Sequence, residues 1–303
     1  MEVHRAFNYM QRLILKKTFS LWQTLGLHIT ANHFYEPIPD TSTLNVNLWL
    51  KCSELVGIDF NEQEQIYLLS EFGLKYKEEL DSFPRNRTEC PYQYFSYNGA
   101  FESVDGDILY CMIRQFKPQK IIEIGSGNST YLSAQAALKN KTEDGYECEM
   151  VSIEPYPNNV LKRGFPGLSQ LITQKVQDLP LSLFDSLEEN DILFIDSSHV
   201  LKIGNDVQYE YLEVLPRLKK GVIIHIHDIF LPEEYRKDWV LDMHRFWNEQ
   251  YLLQAFLTFN ESFKVLWAGN YMCLTYPDKI EKTFSSYKRD KVKPSSFWIV
   301  KTR

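Results

Sequence analysis

The fold is decided by residues 120–130, which read KIIEIGSGNST. The first five residues form a short apolar run between Pro118 and Gly125, which is typical of a buried strand in a parallel sheet. Glycines follow this run, and residues 129–140 then predict a helix. A strand, a glycine turn and a helix in this order predict a ligand-binding loop at the carboxyl end of the strand.

Strand and helix patterns alternate around this segment. Helices are predicted at 106–116, 205–218 and 238–259. Further strands are predicted at 150–154, 171–177, 191–196, 222–228, 263–269 and 295–301. This alternation predicts an α/β fold with a doubly wound, mostly parallel seven-stranded sheet. No helix is predicted between the last two strands, so we expect one of them to run antiparallel.

The first 95 residues show a different pattern, which is mainly helical. Residues 5–26 form a basic amphipathic stretch, and residues 61–80 carry helical periodicity. We therefore predict a helical N-terminal extension at 1–95 and a ligand-binding domain at 96–303. The extension is expected to contribute to an acceptor pocket, to a homodimer contact, or to both. A membrane-surface helix is the alternative for residues 5–26.

Composition narrows the class of protein. The 303 residues carry 40 acidic and 33 basic side chains, a formal charge of −7, so a nucleic-acid partner is not expected. Five scattered cysteines without a C-x-x-C pair predict neither a disulfide framework nor a zinc finger, and favour reduced thiols in a cytoplasmic protein. No apolar run is long enough to span a membrane, and the N-terminus lacks the pattern of a secretory signal.

Acidic residues are predicted at the carboxyl ends of successive strands, around the glycine turn. Thr130 stands where a dinucleotide-binding loop has its third glycine, which argues against NAD. Glu154 suits the two hydroxyls of a ribose, and Asp178 suits the adenine amine. Glu123, just before the glycines, would repel a phosphate. These acids favour a cationic nucleoside without phosphate, a description that S-adenosylmethionine fits.

The segment EIGSGNST (123–130) resembles the first motif of class I, seven-strand, Rossmann-like S-adenosylmethionine-dependent methyltransferases, and IEP (153–155) resembles their ribose-binding acid. The resemblance covers residues 95–303 and implies that Glu154 holds the ribose. The cofactor-binding residues that we predict with it are Glu123, Gly125, Ser126, Gly127, Ser129, Glu154, Asp178, Leu179, Asp196 and Asn98. Within this set, Asp178 and Leu179 would flank the adenine, Asp196 would lie near the methionine, and Asn98 belongs to a loop (97–107) that would cover the cofactor.

A second cluster is predicted where the fourth and fifth strands end, at DSSH (196–199) and HIHD (225–228). Neighbouring strands lie about 4.8 Å apart, so Asp196, His199, His227 and Asp228 should converge. One interpretation is a divalent metal held by Asp196, His227 and Asp228. The other is metal-free, with His199 or His227 as general base. A third interpretation is that the histidines only pack against other side chains or form hydrogen bonds with the backbone.

The family comparison bears on this cluster as well. Asp196 and Asp228 resemble the metal carboxylates of catechol-type O-methyltransferases, although Ile229 stands where those enzymes have Asn. The pattern is more similar to bacterial O-methyltransferases that act on sugars and macrolides, and to cephalosporin-hydroxylase-like proteins. By this analogy Mg²⁺ is the metal ion that we expect first, whereas His227 as a ligand would favour Mn²⁺, Fe²⁺ or Zn²⁺.

These observations predict a biosynthetic methyltransferase that moves a methyl group from S-adenosylmethionine to an oxygen, or less readily a nitrogen, of a small-molecule acceptor. His199, His227 and Asp228 are the predicted catalytic residues. Two alternatives stay open. One is an oxidative enzyme with iron held by two histidines and a carboxylate. The other is a non-catalytic protein that binds S-adenosylmethionine.

Overall fold

The computed structural model describes residues 2–289 and 293–303. They form two compact units, one of residues up to Lys51 with Arg236–Phe246, and one of Cys52–Tyr235 with Trp247–Arg303. The division predicted between residues 95 and 96 does not match these units. Residues 52–95 belong with the sheet because their apolar side chains, such as Phe72 and Leu80, are buried in the same cluster as those of the sheet.

The larger unit is built on one seven-stranded sheet, as predicted. Its strands are β1 (Lys120–Ile124), β2 (Glu149–Ile153), β3 (Gln170–Ile172), β4 (Ile192–Ile195), β5 (Ile223–Ile226), β6 (Phe263–Ala268) and β7 (Phe297–Lys301). Their order across the sheet is β3-β2-β1-β4-β5-β7-β6. The first five strands are parallel, and β7 runs antiparallel to both β5 and β6. The doubly wound, Rossmann-like fold is therefore confirmed.

The helices follow the predicted alternation with local differences. They are α1 (Glu2–Thr24), α2 (Glu62–Lys75), α3 (Lys77–Asp81), α4 (Asp105–Phe116), α5 (Asn128–Asp144), α6 (Asn159–Arg163), α7 (Asp206–Tyr209, continued by a π-helical turn, Glu210–Val214), α8 (Lys237–Leu241), α9 (Glu249–Leu257), α10 (Gly269–Thr275) and α11 (Pro277–Thr283). The prediction of a single helix at 238–259 is wrong. The segment forms two helices, α8 and α9, and the chain between them is not helical, since His244 has φ of +54°. The helices α10 and α11 lie between β6 and β7, where none is predicted.

Apolar side chains cover both faces of the sheet. Along β1, Ile121 packs into one buried cluster, whereas Ile122 and Ile124 pack into the other. Burial on both faces explains why the strands read as continuous apolar runs. Ile124 pairs with Ile153 of β2 and with Ile195 of β4. The residues that follow these strands therefore share one edge of the sheet.

The smaller unit consists of α1, two short 3₁₀ turns at Thr41–Thr43 and Val46–Leu50, and α8. Asp40 caps the first turn, since its carboxylate accepts a hydrogen bond from the Ser42 amide at 3.0 Å. The Lys237 ammonium lies 5.8 Å from the centre of the Trp49 ring. Among the described residues of the whole chain, none of the helices has the length and apolar character needed to cross a membrane.

Candidate active site

The glycine turn after β1 brings the ends of three strands together. Gly125 has φ of +83°, and a Cβ atom at this position would lie 1.9 Å from the backbone oxygen of Asp196. Its amide donates to the Ile153 carbonyl at 3.0 Å, and the Asp196 amide donates to the Ile124 carbonyl at 2.8 Å. A side chain therefore fits neither the backbone conformation nor the space, so the sequence requires glycine here.

Gly127 occupies a different environment, just before α5. A Cβ atom added there would have no atom within 4 Å, so the protein leaves this space open. The Gly127 amide donates to the Thr130 hydroxyl at 2.9 Å. Ser126 is hydrogen-bonded to Ser152 through the two hydroxyl groups. The loop is thus held by its own side chains, while one side of it faces unfilled space.

Glu123 is buried beneath this loop with an exposed fraction of only 1%. One carboxylate oxygen accepts a hydrogen bond from the Ser129 hydroxyl at 2.6 Å, and the other has no hydrogen-bond partner among the described residues. Burial raises the pKa of Glu123 to about 8, and the negative charge of Asp196 adds to the effect. Ser129 therefore stabilises this buried acid by a hydrogen bond, so two residues of the motif depend on each other.

A cavity of about 520 Å³ opens at the carboxyl ends of β1, β2 and β4, within the size range of small-molecule sites. Three of the predicted cofactor-binding residues, Gly125, Glu154 and Asp196, line it. Its full lining is Ile124, Gly125, Ile153, Glu154, Pro155, Tyr156, Lys175, Val176, Gln177, Asp196, Ser197, Ser198, Lys202, Asn205 and Asp206. The glycine turn, the predicted ribose acid and the first residue of the second cluster therefore share one cavity.

Asp178 and Leu179, which are predicted to flank the adenine, are not among the residues that line this cavity. The strand β3 ends at Ile172 rather than at 177, and a 3₁₀ turn at Val176–Asp178 follows it. The turn leaves Asp178 exposed and Leu179 in the apolar core. As a result, Lys175, Val176 and Gln177 face the cavity at the place predicted for the adenine.

Asn98 supports its own loop. Its side-chain amide donates to the carbonyls of Phe95 and Phe101 at 2.9 and 2.7 Å. Its side-chain oxygen accepts from the amides of Ala100 and Phe101, and from the side chain of Asn128 at 3.1 Å. Asn98 is thus adjacent to the start of α5 but is not part of the cavity wall.

The second cluster brings Asp196, His199 and Asp228 together. The His199 Nε2 atom lies 3.2 Å from Asp196 Oδ1 and 3.5 Å from Asp228 Oδ2. One ligand atom from each of the three residues lies within 4.8 Å of the others, so the group could hold a metal ion. This set has one imidazole and two carboxylates, whereas the iron alternative requires two imidazoles on one ion.

His227 occupies a place beside this group rather than within it, so the predicted set of Asp196, His227 and Asp228 differs from the observed set by one histidine. Its Nε2 atom is 3.8 Å from Asp228 Oδ1, and its Nδ1 atom has no hydrogen-bond partner among the described residues. The difference arises because the loop after β4 returns His199 to the strand ends with φ of +59°.

His225 has a packing role. Its ring stacks 3.9 Å from that of Phe194 and lies 4.7 Å from that of Trp298, and neither ring nitrogen has a hydrogen-bond partner among the described residues. Burial holds the pKa of His225 well below its usual value. It shares a strand face with His227, whose ring centre is 5.5 Å away, but only His227 reaches the edge where the strands end.

Glu249 contacts His199, and the sequence does not predict this contact. It begins α9, is 1% exposed, and its Oε2 atom lies 3.0 Å from His199 Nδ1. The amides of Asn248 and Glu249 both donate to the His199 carbonyl, at 3.1 and 3.2 Å. The contact joins residues 50 positions apart, and no local pattern of the sequence indicates it.

The carboxylates determine the charge of His199. Burial alone would lower the pKa of His199, but the hydrogen bonds with Asp196 and Glu249 raise it well above its usual value. Burial opposes ionisation of Asp196 too, but the positive charge of His227 and the hydrogen bond from His199 lower its pKa. Without an ion, these carboxylates therefore favour the imidazolium form of His199, in which neither ring nitrogen has a lone pair to accept a proton.

One part of the chain is similar to a known protein family. Residues 122–229 match a family model described as a methyltransferase domain. This range includes the glycine turn, Glu154 and the whole Asp196, His199 and Asp228 group. This part of the sheet, from β1 to the end of β5, is therefore similar to a methyltransferase domain.

The chain is also similar to individual proteins. It is 33% identical over 198 residues to a protein of Archaeoglobus fulgidus described as uncharacterized, and the match covers 62% of this chain and 87% of the archaeal one. The chain belongs to the same family as this archaeal protein. Among solved structures, an O-methyltransferase from Bacillus cereus in complex with SAH is 14% identical, with 78% of this chain and 91% of that chain covered and a TM-score of 0.38. A SAM-dependent methyltransferase from Anabaena variabilis is 10% identical, with 84% and 100% covered and a TM-score of 0.31.

Proposed function

We propose that the protein is an S-adenosylmethionine-dependent methyltransferase that transfers the methyl group to an oxygen of a small-molecule acceptor, assisted by a divalent metal. The observation that carries the proposal is the placement of Glu154 and Asp196 in one cavity with the Gly125 turn, inside the methyltransferase domain. The fold alone would not define the reaction, because one fold serves many activities.

The cavity suits a cationic nucleoside. Glu154, at the end of β2, is the acceptor we assign to the ribose hydroxyls, as in other nucleoside sites of doubly wound folds. The open space at Gly127 suits the methionine portion, since no side chain occupies it. Asp196, whose pKa is lowered, supplies negative charge on that side, and its attraction to a sulfonium in a buried site is stronger than in water.

The second cluster suits a divalent ion at the same edge of the sheet as the cavity. Asp196, His199 and Asp228 would hold the ion, and a bound ion would supply Lewis-acid polarisation of an acceptor hydroxyl. A bound ion would offset the negative charges of Asp196 and Asp228, which raise the pKa of His227 against the opposing effect of burial. Neutral His227 would then take the hydroxyl proton at Nδ1, the nitrogen that has no hydrogen-bond partner among the described residues. Holding the acceptor in line with the sulfonium would be the main contribution of the site.

The experiment has two parts. Calorimetry with S-adenosylhomocysteine on the full chain should show saturable binding, and absence of saturable heat would contradict the cofactor assignment. The protein should then be screened against hydroxylated small molecules with S-adenosylmethionine, with and without Mg²⁺ or Mn²⁺. We expect formation of S-adenosylhomocysteine that depends on the ion. Transfer that is unaffected by a chelator would remove the metal from the proposal.

A further inference from the structure

We propose that Glu249 is a positioning residue that fixes His199 as a metal ligand through Nε2, and that the site therefore prefers transition-metal ions such as Mn²⁺, Fe²⁺, Co²⁺ or Zn²⁺ over Mg²⁺ and Ca²⁺. The inference rests on the proposed metal-assisted methyl transfer and deepens it. It assigns a role to a buried carboxylate that the cofactor cavity does not use, because Glu249 is not part of the lining of that cavity.

The contact between Glu249 and His199 is two-sided. On one side, the Oε2 atom of the Glu249 carboxylate lies 3.0 Å from Nδ1 of the His199 imidazole. On the other, the first amides of α9 bind the His199 carbonyl. Both backbone and side chain of His199 are thus attached to the beginning of one helix, although the two residues lie on separate connections of the sheet.

This attachment decides which ring nitrogen faces the aspartates. A carboxylate accepts and does not donate, so Nδ1 must carry a proton toward Glu249. The other nitrogen, Nε2, points at Asp196 and Asp228, at 3.2 and 3.5 Å. Metal-ligating histidines commonly donate their second N–H to a carboxylate in this way, which fixes the tautomer and raises the basicity of the ligand nitrogen.

The imidazole is also held by packing. Its exposed fraction is 5%, and the ring of Trp247 lies 4.3 Å away at 40°. His199 has φ of +59°, a conformation uncommon for a residue other than glycine. Since the surroundings impose both backbone and ring orientation, the Nε2 atom is already in place before an ion binds. An ion that binds there would displace the Nε2 proton of the imidazolium into solvent.

The donor set then indicates the class of ion. Two carboxylate oxygens alone would suit Mg²⁺ or Ca²⁺, which prefer oxygen ligands and water. An imidazole nitrogen that is fixed toward the same point shifts the preference to Mn²⁺, Fe²⁺, Co²⁺ and Zn²⁺. Mg²⁺, which comes first by family analogy, is therefore not the ion that this donor set favours.

The test compares ion binding by metal-free full-length protein in calorimetric titrations. The wild type should bind Mn²⁺ at least about tenfold more tightly than Mg²⁺. Glu249→Leu should weaken Mn²⁺ binding by about 10- to 100-fold. Glu249→Gln keeps an acceptor oxygen, so its Mn²⁺ affinity should lie between those of the wild type and Glu249→Leu. Glu210→Gln is the matched control, because Glu210 is an equally buried acid whose carboxylate binds the Ser197 hydroxyl instead of His199.

Pulsed EPR of the Mn²⁺-loaded wild type gives a readout that does not depend on the folding of any variant. We expect coupling to an imidazole nitrogen. A spectrum without nitrogen coupling, equal affinity for Mn²⁺ and Mg²⁺, or equal effects of Glu249→Leu and Glu210→Gln would each overturn the inference. Calorimetry with S-adenosylhomocysteine on the same samples separates the two proposals, since loss of cofactor binding contradicts the methyltransferase function and leaves the ion data to stand by themselves.

Discussion

Replacement of Gly125 by alanine should disrupt the junction of β1, β2 and β4. The new Cβ would lie 1.9 Å from the Asp196 carbonyl oxygen, and ordinary contact begins at 3.4 Å, so the two strand ends must separate by about 1.5 Å. The left-handed backbone costs a side chain about 1–2 kcal/mol, and overpacking costs about 1–3 kcal/mol. We therefore expect Gly125→Ala to lower the free energy of unfolding by about 2–5 kcal/mol.

Equilibrium urea unfolding measures this change, and Gly127→Ala is the matched control two residues away. Gly127 has extended backbone, and a Cβ there meets no atom within 4 Å. Its replacement should alter the free energy of unfolding by less than about 1 kcal/mol. It should nevertheless weaken binding of S-adenosylhomocysteine, if the ligand occupies that space. Equal stability of Gly125→Ala and the wild type would refute the reasoning.

Three further substitutions separate the roles of the acids. Glu154→Gln should weaken binding of S-adenosylhomocysteine, measured by calorimetry, by about 1–3 kcal/mol, because the ribose hydroxyls lose a charged acceptor. Glu149→Gln, at the opposite end of β2, is the control. An equal effect of the two substitutions would count against the ribose assignment. Glu123 has a folded-state pKa of about 8 against a usual 4.5, so its protonated form stabilises the fold below pH 4.5 and this contribution is lost as the pH rises to about 8. Glu123→Gln should therefore lose less stability than the wild type between about pH 5 and pH 8 in urea unfolding, and identical pH profiles would contradict this. Asparagine tolerates the left-handed backbone that Asp228 adopts, with φ of +56°, so Asp228→Asn should preserve the fold. It should lower Mn²⁺ affinity by about tenfold or more and leave the affinity for S-adenosylhomocysteine within about twofold. An unchanged ion affinity would exclude Asp228 as a ligand.

The parts of the molecule that the sequence predicts well are those set by local pattern. The bounds of β1 agree with the prediction residue by residue, because a buried parallel strand is a continuous apolar run that ends at a glycine. The positions of Glu154 and Asp196 in the cavity follow from the same rule, since both come directly after a parallel strand. Register within the sheet then brings them together without any further information.

The parts that the sequence does not predict depend on loops and on distant contacts. Asp178 would end a longer strand, but β3 is short and a 3₁₀ turn directs the residue outward. His199 and Asp228 both adopt left-handed backbone, which sets the direction of their side chains and is not readable from periodicity. Glu249 joins the cluster only through tertiary packing of α9, and its position at the start of a helix resembles an ordinary exposed acid.

The most direct test of the account is a crystal structure of the full chain with S-adenosylhomocysteine. We expect the ribose hydroxyls within hydrogen-bond distance of Glu154, and the homocysteine chain between Gly127 and Asp196. A ligand bound elsewhere, or a cavity that side chains have closed at saturating ligand, would contradict the central claim that the acids at the strand ends form the cofactor site.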